Sequence, residues 1–247
     1  YNGSSNLTEL KPEIGELSKL TKLDLTGNNL TSLPPEIGNL SSLTYLNLSR
    51  NGLTNLPTGI GNFAVLEELN VSNQIDRTDN TKTLTTLPDE IGNIGSLKKF
   101  NVTGNALTIL PSTIGGLTSL EELYLGNRSG QGNDLTALPA EIGSLLNLKL
   151  LYAQYNRLAT LPTEIGNLSK LENLDVSNQI SYNPTTYYMT SLPVSINNLT
   201  SLKDFRATGN RIAGDINISN INTLTNLHFR DNRISGLKLG KEPFPIY

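Results

Sequence analysis

From Leu33 the chain reads LPPEIGNLSSLTYLNLSRNGLTN, and the same arrangement of apolar positions begins again at Leu56, 23 residues on. Starts recur at Leu10, Leu33, Leu56, Leu87, Leu110, Leu138, Leu161, Leu192 and Gly214, which makes nine units. Two spacings operate inside each unit. Leu46-Asn47-Leu48 alternates with period two, which predicts a short strand with both leucines inward and Asn47 outward. Pro34-Pro35-Glu36 followed by Ile37, Leu40 and Leu43 places apolar residues three apart behind a proline, which predicts a short helix or 3₁₀ turn. So small a unit cannot bury its own leucines, so neighbours must stack, with one strand per coil forming a parallel sheet and the turns forming the opposite side. The expected fold is therefore an α/β solenoid.

Stacking sorts the interior into columns of like residues. One column is Ile14, Ile37, Ile60, Ile91, Ile114, Ile142, Ile165, Ile196 and Ile218; another is Leu23, Leu46, Leu69, Phe100, Leu123, Leu151, Leu174, Phe205 and Leu227. Asn28, Asn51, Asn105, Asn156, Asn210 and Asn232 follow the strands, where a buried amide can bond backbone groups that no sheet partner reaches. Met189 takes the place of Leu53 and is expected to fill core. The chain reads as a single domain over residues 1–247, with a C-terminal tail at 237–247. Asn6-Leu7-Thr8-Glu9 matches the end of a preceding unit, and the opening carries neither Met nor a signal-type segment, as expected of a piece of something longer.

Three coils are long. The third, fifth and seventh carry 8, 5 and 8 extra residues after the strand, so all three insertions are expected to emerge from one place on one rim. Val71-Ser72-Asn73-Gln74-Ile75 recurs as Val176-Ser177-Asn178-Gln179-Ile180, which points to a duplicated block of two coils. The outward position beginning each strand reads Thr21, Thr44, Glu67, Lys98, Glu121, Lys149, Glu172, Lys203 and Thr225. With neighbours about 4.8 Å apart in a parallel stack, these residues form a ladder of alternating charge that keeps register on a solvated surface.

The unit Leu-x-x-Leu-x-Leu-x-x-Asn-x-Leu, seen in Leu43, Leu46, Leu48, Asn51 and Leu53, resembles the leucine-rich repeat. That resemblance implies a horseshoe-shaped leucine-rich repeat solenoid with a parallel β-sheet on its concave face and short helices or 3₁₀ turns on its convex face. The LPxEIGNL unit is similar to the Ras-group-related intracellular repeats and to bacterial leucine-rich repeat proteins, while the last coil resembles the internalin type. The resemblance implies a protein-binding scaffold and tilts the source toward bacteria, at the cell surface or secreted; a cytoplasmic location is the alternative.

Composition narrows the chemistry. With 19 Lys and Arg against 22 Asp and Glu and a net charge of −3, the chain has no basic surface for nucleic acid or anionic lipid. No Cys is present, which removes disulfides, cysteine-ligated zinc and cysteine nucleophiles. A single histidine, His228, leaves no material for a serine triad or a histidine metal cluster, and it reads as an exposed, inert side chain. Asp76, Asp79 and Asn80 offer oxygens without the glycine and terminal glutamate of a calcium loop. No apolar stretch approaches the length of a membrane span. No catalytic residue, metal ligand or cofactor is therefore expected.

What remains is recognition. Tyrosine joins a large apolar area to a polar tip and anchors interfaces well. The expected binding patch is Tyr124, Tyr152 and Tyr155 on the strand face, Tyr182, Tyr187 and Tyr188 in the last insertion, and Arg206 on a neighbouring strand. The expected function is a non-catalytic, monomeric module for recognition or adhesion that binds a protein, with a glycan as the other ligand class. The alternative is the scaffold half of a larger signalling or effector enzyme whose catalytic domain lies elsewhere.

Overall fold

A computed structural model describes residues 6–179 and 189–240. Tyr182, Tyr187 and Tyr188 lie outside the described residues, as does the end of the tail. Nine strands form one parallel sheet in the order β1-β2-β3-β4-β5-β6-β7-β8-β10. They are β1 (Lys22–Asp24), β2 (Tyr45–Asn47), β3 (Glu68–Asn70), β4 (Lys99–Asn101), β5 (Glu122–Tyr124), β6 (Leu150–Tyr152), β7 (Asn173–Asp175), β8 (Asp204–Arg206) and β10 (Asn226–His228). The register aligns Leu23, Leu46, Leu69, Phe100, Leu123, Leu151, Leu174, Phe205 and Leu227 as one inward column. These side chains and the isoleucine column behind them are buried along most of the stack, Met189 included. The chain is thus a leucine-rich repeat solenoid with its parallel sheet on the concave side.

The opposite side is made of 3₁₀ turns, η1 (Pro12–Glu16) to η8 (Val194–Asn198), one per coil. Pro34 sits extended at φ −70° and ψ 145° and accepts from Ile37 N–H at 3.1 Å, and Leu40 N–H then bonds Ile37 at 3.3 Å. Proline thus presets the entry and the i→i+3 bonds close one tight turn. Neighbouring turns press together so closely that a methyl group on Gly38 would run into the Gly59 carbonyl. On the rim before the strands, Lys98 meets Glu67 at 2.8 Å, Lys149 meets Glu121 at 2.7 Å and Lys203 meets Glu172 at 2.8 Å.

The coil that starts at Gly214 departs from this plan. In place of a 3₁₀ turn it runs as β9 (Ala213–Asn217), paired in parallel with β11 (Arg233–Lys238) in a second, two-stranded sheet with a bulge between Ile234 and Gly236. The local reason is legible. The Leu-Pro entry is missing, and Ile216 and Ile218 alternate with period two and bury 94% or more of their surface. Strand β11 runs across Leu237, where the tail was expected to begin.

The column of buried amides is longer than six asparagines. Gln74 and Gln179 stand in it for the third and seventh coils, and Asn133 for the fifth. In Asn51 the amide nitrogen donates to Leu25 and Leu48 carbonyls, both at 2.9 Å, and the amide oxygen accepts from Leu30 N–H at 3.1 Å. Gln74 repeats this with Leu48 at 2.9 Å, Val71 at 3.2 Å and Leu53 N–H at 3.1 Å. Asn105 bonds Val71 and Val102 at 3.0 and 2.9 Å and accepts from Gln74 N–H at 2.9 Å. Each amide therefore joins the end of its own strand to the coil before it.

This column also corrects the expectation that all insertions leave from one place. The first, residues 75–83, follows its buried amide Gln74, whereas the second, residues 126–132, precedes its amide Asn133. The longer glutamine side chain serves the coil whose backbone turns away into a loop directly after it.

Three outcomes are expected in urea unfolding. Asn105→Ala leaves the Val71 carbonyl and the Gln74 N–H buried without that partner and costs about 1–3 kcal/mol, and Gln74→Asn costs a similar amount because the shorter amide falls short of Leu48 and Leu53; a wild-type midpoint for Gln74→Asn would show that reach is irrelevant. Gly38→Ala forces the turns apart and destabilises by about 1–3 kcal/mol, to be read from the same midpoint shift.

Candidate binding face

The alternation of each strand presents two outward residues per coil to the concave side. Along the second of these rows the register places Asn47, Asn70, Asn101, Tyr124, Tyr152, Asp175, Arg206 and His228 side by side. The first half of the row is uniform. Asn47, Asn70 and Asn101 accept from the N–H groups of Ser49, Ser72 and Thr103 at 3.1, 3.0 and 3.0 Å, each closing a turn after its strand. Asp175 makes the same bond to Ser177 N–H at 3.0 Å, so it keeps the turn and adds a charge.

From Tyr124 onward the face changes character. The Tyr124 and Tyr152 rings meet edge to face, with centroids 5.6 Å apart and planes at 89°. The Tyr124 hydroxyl donates to Glu122 at 2.7 Å, and Lys99 lies 5.5 Å from its ring centroid and 3.3 Å from Glu122. Burial, and then the bond to Glu122, pushes the Tyr124 phenol well above its ordinary pKa, so it stays a neutral donor. On the other side of the pair, Arg128 of the second insertion places its guanidinium 5.5 Å from the Tyr152 ring centroid. Its Nε lies 3.7 Å from Asp175 and its Nη2 3.9 Å from Asp204. Arg206 is held tightly, with Nε at 2.9 and 3.1 Å and Nη2 at 3.0 Å from the Asp204 carboxylate, and this bonding raises its pKa further.

These groups surround a depression of about 220 Å³ at the foot of the second insertion, lined by Arg128, Gln154, Tyr155, Asp175, Ser177, Asn178, Arg206, Thr208 and His228. Glycine lets the insertion descend to it, since a side chain on Gly132 would collide with the Tyr155 carbonyl. Asn127 shapes the loop by accepting from Ser129 and Gln131 N–H at 2.9 and 3.2 Å. The first insertion braces it from behind, where Lys82 donates to the Gly132 carbonyl at 2.8 Å. Partial burial lowers the Lys82 pKa, opposed by the nearby Asp134 carboxylate. In the first insertion, the carboxylates of Asp76 and Asp79 accept from Thr78 and Thr81, turning the loop.

Of the tyrosines singled out from the sequence, Tyr124 and Tyr152 share the row with Arg206. Tyr155 does not lie on a strand. It occupies a left-handed rim position at φ 56°, where other coils carry Gly27, Gly104 or Asn73, and its ring rests beside Gly130 of the insertion. Tyr155 is a turn residue at a position conformationally suited to glycine or asparagine, and period two continued from Tyr152 leads outward to Gln154 rather than to Tyr155. Arg128, Gln154 and Asp175 were not singled out. A signal for Asp175 existed, because the duplicated copy carries Asn70 in its place. His228 is exposed but faces the depression.

A family model described as leucine-rich repeat region matches residues 3–85. No curated protein sequence matches the chain. Among solved structures, the Arabidopsis receptor kinase HAESA in complex with the peptide hormone IDA and the co-receptor SERK1 is 26% identical, with a TM-score of 0.72 over 92% of this chain and 36% of the receptor. The plant peptide hormone receptor RGFR1 in complex with RGF2 is 28% identical, with a TM-score of 0.57 over 92% of this chain and 42% of that one. The functional domain of InlJ from Listeria monocytogenes shares the fold at 22% identity, with a TM-score of 0.68 over 92% of this chain and 42% of that domain. The chain therefore spans less than half the length of each. Repeat spacing, strand register and these likenesses agree, and the chain is a leucine-rich repeat protein with units of about 23 residues.

Proposed function

We propose that the chain is a non-catalytic recognition module that holds a protein ligand on its concave sheet, centred between Tyr124 and His228. One observation carries this reading: the duplicated block diverges at every concave strand position while the amides, turn residues and rim charges that bracket those positions recur. Pairing Leu56 with Leu161 and reading on, Glu67, Ser72, Asn73, Gln74, Lys98, Thr103, Gly104 and Asn105 recur as Glu172, Ser177, Asn178, Gln179, Lys203, Thr208, Gly209 and Asn210. The four outward strand residues do not recur. Glu68, Asn70, Lys99 and Asn101 become Asn173, Asp175, Asp204 and Arg206. Elsewhere the copies also differ, as at Gly59, Phe63, Val65 and Gly92, which become Glu164, Leu168, Lys170 and Asn197, but all four concave strand positions change, and substitution at solvent-facing residues of a rigid sheet alters what the surface meets without altering the fold.

A protein ligand suits the chemistry better than a glycan, since Tyr124, Tyr152, Arg128 and Arg206 gather on this half of the face and tyrosine and arginine are both favoured at protein interfaces. The solved peptide-hormone receptors that share the fold also bear their ligands as complexes. We place the module outside the cell or on its surface, in keeping with those receptors.

Pull-down with the tagged chain as bait, followed by affinity measurement on the captured protein, tests this. Tyr124→Ala with Tyr152→Ala is expected to weaken binding by about 1–4 kcal/mol with unchanged circular dichroism. Val194→Ala, at an 86% exposed position on the turn side, is expected to leave affinity intact. Loss of binding through Val194 with the tyrosines silent would move the site to the convex face.

A further inference from the structure

Resting on that reading, we infer that the depression at Asp175 is a subsite for a basic side chain of the ligand, a lysine ammonium or an arginine guanidinium, and that Arg128 is its displaceable stand-in. Gln154 is 1% exposed, and its amide oxygen has no hydrogen-bond partner among the described residues. Its amide nitrogen faces the Asp175 carboxylate at 3.4 Å, which fixes the orientation, because the reversed amide would set oxygen against oxygen. Asp175 is 3% exposed, yet only one of its oxygens is well bonded, to Ser177 N–H at 3.0 Å. The other oxygen has Gln154 at 3.4 Å and Arg128 at 3.7 Å, both longer than a good charge-assisted bond.

The depression therefore holds two buried acceptors short of donors. Arg206 does not supply them, being committed to Asp204. Arg128 supplies them poorly: its side chain is 55% exposed and leans on Tyr152. Arg206 is bonded to Asp204 and feels Asp175 only at longer range, so Arg128 swinging aside leaves the buried Asp175 carboxylate without a cation in contact, where an incoming cation is favoured. Such a group donates to the weakly bonded Oδ2 of Asp175 and to Gln154 Oε1 together, with Tyr155 lining the same space as an aromatic wall.

The sign of the Arg128 effect separates this from the opposite chemistry. The ¹⁵N-labelled chain is titrated with N-acetyl-lysine amide, N-acetyl-arginine amide and N-acetyl-glutamate amide while the Gln154 side-chain amide and Arg128 Nε–H resonances are followed. A basic probe is expected to shift both resonances. Arg128→Ala is expected to tighten it several-fold, and Asp175→Asn to weaken it by about tenfold or more, as loss of a bond to a charged acceptor does. Asp175→Asn retains the turn bond to Ser177, as Asn70 does for Ser72, so the fold is preserved. Preference for the glutamate probe, with weaker binding in Arg128→Ala, would make this an anion site and overturn the inference, as would silence with all three probes. A captured protein lost through Tyr152→Ala but bound equally by Asp175→Asn would sink this inference and leave the recognition reading standing.

Discussion

A strand that ends inside a stack leaves backbone carbonyls that neither water nor a neighbouring strand can reach, and a buried carbonyl without a donor is costly. Each coil after the first meets that demand with a side-chain amide whose nitrogen takes carbonyls on two successive coils and whose oxygen takes an N–H of the coil before. Leucine columns supply the driving force for stacking, but hydrophobic burial is non-directional and would tolerate sliding. The amides are directional. They fix which residue of one coil faces which residue of the next, and so they fix the spacing of everything displayed on the concave side.

Once that frame is set, the outward strand positions are free to carry other chemistry. The two halves of the sheet show the range. Asn47, Asn70 and Asn101 close turns and present a quiet polar strip, whereas the same row further on bears two tyrosines, a buried carboxylate and an arginine. The second insertion completes that half by bringing Arg128 over Tyr152, and the first insertion reaches across two coils to brace it through Lys82. Chemistry and loop placement thus converge on one part of an otherwise repetitive surface.

Most of the fold was legible because it is written in apolar spacing, which repeats nine times and cannot be satisfied by one unit alone. The amide ladder was only partly legible. Gln74 and Gln179 differ in residue type from asparagine, and Asn133 is displaced by the loop before it, so identity misled twice and spacing once. The last coil was missed for a related reason, since Ile218 preserves the column while the absence of a Leu-Pro entry lets the segment stay extended. The aromatic pair was visible from strand alternation. Arg128 was not, because its contacts depend on how a loop folds back, and no periodicity governs that.

The rim charges close within pairs of coils: Glu67 with Lys98, Glu121 with Lys149, and Glu172 with Lys203. Among the described residues, no rim glutamate is bonded to a lysine of another pair; the ion pair that crosses a pair boundary, Lys99 with Glu122 at 3.3 Å, lies on the strand face. An unequal crossover that adds or deletes a whole pair therefore strands no ion on the edge, whereas one that moves a single coil does. Array length in such a protein can evolve in steps of two, each step shifting an insertion along the solenoid by a fixed increment while the charge ladder on the rim runs unbroken across the seam between old and new coils.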